Sequence, residues 1–350
     1  MNTVFVHLGD ARVDHLWSNI NYLNRTAPQK NISLILNNKI HLKKISKLKC
    51  DVHFYESSEA SNNLFSKLEH EIEFRNGFWR HSTERFFALH HWHQLNPNDS
   101  FLHIESDNLL LPNFPWKKFE SLKSLAWLRH NDEHDCAALF YSPTIEETNW
   151  FIEQITNCIE LDKSMTDMKA LSIIAKQNLG KVQMLPTYDE RWIHNKSNLN
   201  LGMDLSKDFK IFEGVFDPAA TGVWLTGGDP RNSLGWIKRY KNHFNPIIDP
   251  STFDYSLRDM NVYLTKNGVT AQLFNLHIHS KQKILFSKFN NIFLKLYVYS
   301  ARKLRIPRIF HFISAYYVFL SLIRLKNFNI SNIYKGIRAL IKTRKTELFN

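Results

Sequence analysis

Residues 101–111 read FLHIESDNLLL, and Pro112 follows. This is an apolar strand carrying two carboxylates, Glu105 and Asp107, at i and i+2. Working outward, residues 3–8 (TVFVHL), 32–38 (ISLILNN) and 51–57 (DVHFYES) predict three further buried strands. A polar and apolar pattern over 13–23 predicts a helix between the first two. Ser82 opens a predicted helix over 82–94, with Glu84 and Arg85 in its first turns. Strands over 125–129 and 136–142, helices over 145–160 and 166–178, and a short strand over 182–185 continue the alternation. Strands separated by helical segments predict a parallel α/β sheet. Residues 187–260 are loop-rich, and loops of that size usually carry function. A last strand is predicted over 272–281, QLFNLHIHSK.

In such a sheet, ligands bind beyond the carboxyl ends of the strands. Two acids on one face there repel each other unless a cation lies between them. A hard divalent ion that also bridges phosphate oxygens suits the pair; the competing reading is a solvated acidic loop. His277-Ile278-His279-Ser280-Lys281 places two imidazoles on one strand face by the period of two. Either can reach the same ion, and Lys281 can neutralise phosphate charge. The competing reading is a partly buried histidine pair beside a solvated lysine. The run HHWH at 90–93 reads as structural, because on a helix only His90 and His93 share a face.

Together, an acidic pair at one strand end and a distant His-x-His-Ser-Lys resemble a bacterial GT-A-type glycosyltransferase that uses a nucleotide sugar. The resemblance covers residues 3–281. It implies an α/β, GT-A fold, Rossmann-like, with a mixed, mostly parallel sheet flanked by helices. It also implies a divalent metal, Mn²⁺ or Mg²⁺, and a nucleotide-diphosphate sugar as donor. Glu105-Ser106-Asp107 stands at the DxD position, with Glu where the motif has its first Asp. The implied metal ligands are Glu105, Asp107, His277 and His279, with Asp107 foremost; Glu105 can instead touch the ribose, and the choice between the histidines stays open. Lys281 is implied on the diphosphate. His7, Gly9 and Asp10, closing the first strand, are implied contacts to base or ribose, although Asp10 can equally cap the first helix. Arg85 either reaches donor phosphate or forms a surface ion pair.

The block FDPAATGVWLTGGDPRN (216–232) lets backbone approach a ligand closely. If the reaction inverts configuration, a carboxylate must deprotonate the acceptor. Asp217 is the first choice and Asp229 the second, while both sit in Asp-Pro pairs that favour turns. Trp224, Trp236 and Tyr240 form either a sugar platform or core. Asp167 is either a helix cap or an acceptor-side acid.

Charge divides the chain. The formal net charge of the 350 residues is +12. Residues 281–350 hold fifteen Lys and Arg against Glu347 alone, or +14, which leaves the first 280 at −2. A uniformly basic nucleic-acid binder is excluded, since its charge would line the folded domain. The predicted division is therefore a catalytic domain over 1–281 and a basic, aromatic, helical tail over 282–350. Residues 284–344 interleave Phe, Tyr, Ile and Leu with cations, as in amphipathic helices on an anionic membrane surface. Nucleic acid and a partner-helix or oligomer interface are the rivals. The longest apolar run, 309–323, is broken by His311 and Ser314 and falls short of the roughly 20 residues of a span. The N-terminus has no signal-peptide pattern. Cys50, Cys136 and Cys158 are scattered, which argues against a disulfide framework or a cysteine-based zinc site. A cytoplasmic protein, peripheral on the inner face of the membrane, fits these features.

The expected function is a metal-dependent glycosyltransferase moving a sugar to a surface-glycan or lipid-linked acceptor. The alternatives are a nucleotidyl or polyol-phosphate transferase on the same metal–diphosphate site, and a non-catalytic carbohydrate- or membrane-binding scaffold.

Overall fold

A computed structural model describes residues 1–304 except 12, 42–44, 70–76, 193–204 and 230–247. Along the chain come β1 (Asn2–His7), α1 (Asp14–Thr26), β2 (Ile32–Leu36), β3 (Asp51–Phe54), α2 (Glu59–Ser66), α3 (Phe78–Leu95), β4 (Phe101–Ile104) and β5 (Asn108–Leu110). They are followed by α4 (Trp116–Glu120), β6 (Leu125–Arg129), β7 (Asp135–Ser142), α5 (Ile145–Leu161), α6 (Asp167–Gln177) and β8 (Val182–Leu185). Then come α7 (Phe209–Phe212), β9 (Gly214–Val215), α8 (Thr221–Thr226), β10 (Asp254–Arg258), β11 (Asn261–Lys266), β12 (Val269–Leu273), β13 (Asn275–His277) and α9 (Asn290–Leu304).

The central sheet has seven strands in the order β3-β2-β1-β4-β7-β6-β8. β7 runs antiparallel to both its neighbours, and the other pairs are parallel. This is the mixed, mostly parallel α/β sheet expected. Alternate side chains of its strands feed two cores. Phe5, Leu102 and Ile104 join Leu16, Ile20 and Leu23 of α1 on one face. Val4 and Phe101 join Phe86, Leu89 and Trp92 of α3 and Phe151 and Ile155 of α5 on the other. The chain crosses from β1 outward to β3, then returns to place β4 on β1's other side. The order therefore reverses between β1 and β4, and the carboxyl ends of these two strands bound the ligand crevice of such a sheet.

The strand expected over 101–111 is two strands. It breaks after Ile104 because the Asn108 amide bonds the Glu105 carbonyl (3.0 Å) in a tight turn. β5 then leaves the central sheet and pairs antiparallel with β13, in the register His277↔Asn108. The strand expected over 272–281 likewise breaks at Phe274 between β12 and β13 and ends at His277. β9–β12 form a separate four-stranded sheet. α3 begins at Phe78 after Gly77, not at Ser82, whose hydroxyl bonds the Trp79 carbonyl inside the helix.

The boundary expected at 281/282 falls inside the packed unit. Leu285, Phe286, Leu294, Tyr297, Val298 and Ala301 are buried in the first core. Arg25 donates to the Phe286 carbonyl (3.0 Å), and Lys283 pairs with Asp14 (3.0 Å). Apolar spacing carries the packing through α9. Residues 305–350 lie outside the described residues. Among the described residues no helix is long and apolar enough to cross a membrane.

His90 and His93 are structural, as expected. His90 Nε2 meets Asn149 Oδ1 (2.7 Å). His93 is buried, with Nε2 on the Asp99 carbonyl (2.6 Å) and Nδ1 on the Thr148 hydroxyl (2.7 Å). Burial holds its pKa below the usual histidine value of 6.5. A histidine depressed in the fold contributes stability that is present above about pH 6.5 and lost as pH falls. The melting temperature should therefore drop on acidification below that point. His93→Gln should weaken that acid limb and cost about 1–3 kcal/mol at neutral pH; pH-resolved thermal melts of both proteins check it.

Candidate active site at the end of β4

The 105–108 turn is held from three sides. α1 presents His15, Asn19 and Tyr22, spaced to share one face. His15 Nε2 meets Ser106 Oγ (3.0 Å), and Asn19 donates to the carbonyls of Ser106 (3.2 Å) and Asn108 (2.9 Å). The Tyr22 hydroxyl donates to the Leu110 carbonyl (2.9 Å). Asn108 donates to the Ala138 carbonyl of β7 (2.8 Å) and accepts from Asn275 of β13 (2.8 Å). These carboxamides fix the acidic turn against both sheets.

The β5–β13 register then brings His277 onto the acids. Its Nε2 lies 3.2 Å from Glu105 Oε2 and 3.3 Å from Asp107 Oδ1. Lys281 donates to Asp107 Oδ2 at 2.7 Å across 174 positions of sequence. Lys281 holds φ at 53°, the left-handed region that ordinarily favours glycine. His279 packs its ring edge against His277, with centroids 4.5 Å apart. His277 is thus the histidine that reaches both carboxylates, and His279 stands beside it.

Burial alone would raise both acids. Arg85 and His277 instead hold Glu105 below the usual carboxylate range, and Lys281 and His277 hold Asp107 well below it. Burial would lower His277, but Asp107 and Glu105 override it and hold it well above 6.5. Burial and the His277 charge push His279 down to about 3. A positive charge between the two carboxylates is what the site is built to accommodate.

A divalent cation fits this arrangement. Hard ions take carboxylate oxygens and also imidazole. Bonds of about 2.1 Å set neighbouring ligand atoms about 3 Å apart, close to the distance from His277 Nε2 to each acid, although the ligand atoms of Glu105, Asp107 and His277 are not all within 4.8 Å of one another and the acids must turn inward to share one ion. Glu105, Asp107 and His277 would hold the ion. Cys136 lies at the same place: the ligand atoms of Glu105, Cys136 and His277 are all within 4.8 Å of one another.

Two candidates make contacts that the sequence did not foretell. Arg85 pairs inside the fold rather than at the surface. It is buried, donating from one guanidinium nitrogen to Glu105 Oε1 and from the other to Asp167 Oδ2 (2.7 Å). Asp217 turns its carboxylate onto backbone amides. It is 1 % exposed and accepts the amides of Thr221 (2.8 Å), Gly222 (2.6 Å) and His277 (3.0 Å), bracing α8 against β13. A Cβ on Gly222 would run into the His277 backbone, so glycine is needed for this approach.

The other candidates are dispersed around this cluster. His7 is buried at the end of β1, edge-on to Trp17. Gly9, at φ 87°, donates its amide to Asn37 (2.9 Å), and Asp10 accepts from Asn38, not from the α1 amides. All three lie at or just beyond the carboxyl end of β1. Thr166, not Asp167, caps α6. Asp229 is buried beyond α8 at the edge of an undescribed segment. Trp224 packs half-buried against the first core, while Trp236 and Tyr240 lie outside the described residues.

Sequence reasoning missed His15, Asn19, Cys136 and Asn275. Only the spacing of 15, 19 and 22 was a usable signal.

The site therefore defines an α/β protein with an acid–imidazole–lysine cluster at its sheet switch point. No family model matches the chain, and no curated protein matches it. Among solved structures it is similar to the PaToxG glycosyltransferase, at 10 % identity and a TM-score of 0.37, over 51 % of this chain and 68 % of that one. It is similar to an active-site mutant of LgtC, at 11 % and 0.43, over 59 % and 83 %. It is also similar to the apo form of the glycosyltransferase GlyE of Streptococcus pneumoniae TIGR4, at 14 % and 0.36, over 61 % and 51 %. These are partial likenesses with TM-scores under 0.5, and the function is inferred from the chain's own residues.

Proposed function

We propose that this chain is a metal-dependent glycosyltransferase that moves a sugar from a nucleotide-diphosphate donor to a surface-glycan or lipid-linked acceptor. The observation that carries the reading is the meeting of Glu105 and Asp107 with His277 and Lys281 at the β1/β4 switch point. His7, Gly9 and Asp10 receive the nucleoside beside β1. When bound, a divalent cation neutralises the charge of the leaving diphosphate. Asp107, Glu105 and His277 hold it. Arg85 keeps Glu105 ionised and aimed. Lys281, with its side chain 26 % exposed, can turn from Asp107 to the phosphate.

A thermal-shift screen with UDP-, GDP-, CMP- and dTDP-sugars, with and without Mn²⁺, tests this. One diphosphate sugar should stabilise the protein only with the cation, by about 2.7 kcal/mol at a hundredfold excess over Kd. If none does so, the reading fails.

On the same reading the enzyme works at an anionic membrane surface. α9 is apolar on two faces. Leu294, Tyr297 and Val298 face the core, while Ile292 (56 % exposed), Leu296 and Tyr299 (61 %) form an outward stripe beside Lys295. α9 lies within the +14 segment, and residues 305–350 after it hold nine Lys and Arg against Glu347. Full-length protein should sediment with anionic vesicles and be released by salt. Truncation after residue 304, which spares the packed part of α9, should reduce binding sharply. If the full-length protein stays in the supernatant, the membrane assignment falls.

A further inference from the structure

Cys136, the second residue of β7, pairs opposite Leu128 of β6 and lies beside the end of β4, where the Glu105 amide bonds the Ala138 carbonyl (3.1 Å). It is a free thiol and 6 % exposed. Arg85 occupies Glu105 Oε1, which leaves Oε2 turned to His277. His277 Nδ1 is buried without a hydrogen-bond partner. Among the described residues, Glu105, Cys136 and His277 are the one group of three metal-ligating side chains within 4.8 Å of each other. A tetrahedral zinc ion, with bonds of about 2.0–2.3 Å, sets its ligand atoms about 3.3–3.8 Å apart, so small side-chain rotations suffice.

We propose that Glu105, Cys136 and His277 form a second cation site, for zinc or another thiolate-seeking divalent ion, that excludes the catalytic cation by taking two of its ligands. The chemistry of the donors separates the two sites. Two carboxylates and an imidazole suit a hard ion; replacing Asp107 by a thiolate turns the set toward zinc. Glu105 and His277 belong to both sets, and two divalent charges that close repel strongly in a buried site, so the ions compete. Zinc binding displaces the thiol proton, and the His277 proton where present, to solvent. The scattered cysteines argued against a cysteine-based zinc site along the sequence; the fold supplies one thiol to a mixed site instead. Binding stands by itself, whereas the exclusion rests on the glycosyltransferase reading.

Cobalt is the probe. Full-length protein titrated with Co²⁺ should gain a near-ultraviolet thiolate-to-cobalt band, which Zn²⁺ should bleach. Cys136→Ser should lack the band and need about tenfold more Zn²⁺ or greater for half-saturation. Cys50→Ser and Cys158→Ser should keep the band. Cobalt binding to the wild type without a thiolate band overturns the site, even where Cys136→Ser fails to fold. A band that survives in folded Cys136→Ser overturns it too. In a donor-cleavage assay, Zn²⁺ should raise the Mn²⁺ needed for half-maximal rate; zinc binding that leaves this unchanged overturns the exclusion. A thiolate band in a protein that cleaves no nucleotide sugar would sink the glycosyltransferase reading and leave the zinc site standing.

Discussion

Asp107→Asn should lower Mn²⁺-dependent release of nucleotide from the donor by about a hundredfold or more, while the protein stays folded. The expected size reflects the loss of one charged ligand of a divalent ion, a larger change than loss of the outer partners that already cost 10- to 100-fold. Folding should survive for local reasons. Asparagine keeps the shape of the side chain and one acceptor oxygen for Lys281. The lysine it leaves is part-exposed, so its charge is hydrated rather than stranded. His277 retains Glu105 at 3.2 Å. Nucleotide release and thermal melts on the same preparation separate the two effects. Unchanged turnover in a folded variant would remove Asp107 from the cation site.

How much of this was legible in the sequence depends on how far away each residue's partner lies. The alternation of strands and helices from 3 to 185 was legible because it is set by local periodicity, and the elements fall within a few residues of expectation. The acids at the end of β4 were legible because position on a parallel strand dictates which end meets ligand. The break inside FLHIESDNLLL was not, since it depends on β5 finding β13, paired through Asn108 and His277. Arg85 was legible as a charge near the site but not as the partner of Glu105 and Asp167, because the α6 acid joins it only in three dimensions. Cys136 was invisible for the same reason. The packing of residues 285–301 was not legible, because composition reports charge, while Leu285, Phe286 and Leu294 join the core through apolar contacts.

Asp217 separates a brace from a base. The sequence favoured it as the residue that deprotonates an acceptor; the structure surrounds its carboxylate with three backbone amides. Asp217→Ala strands three buried donors, each costing about 1–3 kcal/mol, so the loss should reach at least about 3 kcal/mol. That is a large share of the roughly 5–15 kcal/mol that holds a typical domain together. The consequence is also local to the site. The His277 amide is one of the three donors, and Gly222 packs against the His277 backbone. Loosening α8 therefore moves the imidazole that meets Glu105 and Asp107. Asp217→Asn keeps one acceptor oxygen but turns an NH₂ toward backbone N–H groups, so its destabilisation should be intermediate. Urea denaturation of wild type, Asp217→Asn and Asp217→Ala should rank in that order. Turnover per folded molecule should fall with cation affinity and recover in part at high Mn²⁺. A variant of unchanged stability whose turnover is lost at every Mn²⁺ concentration would restore Asp217 as the base.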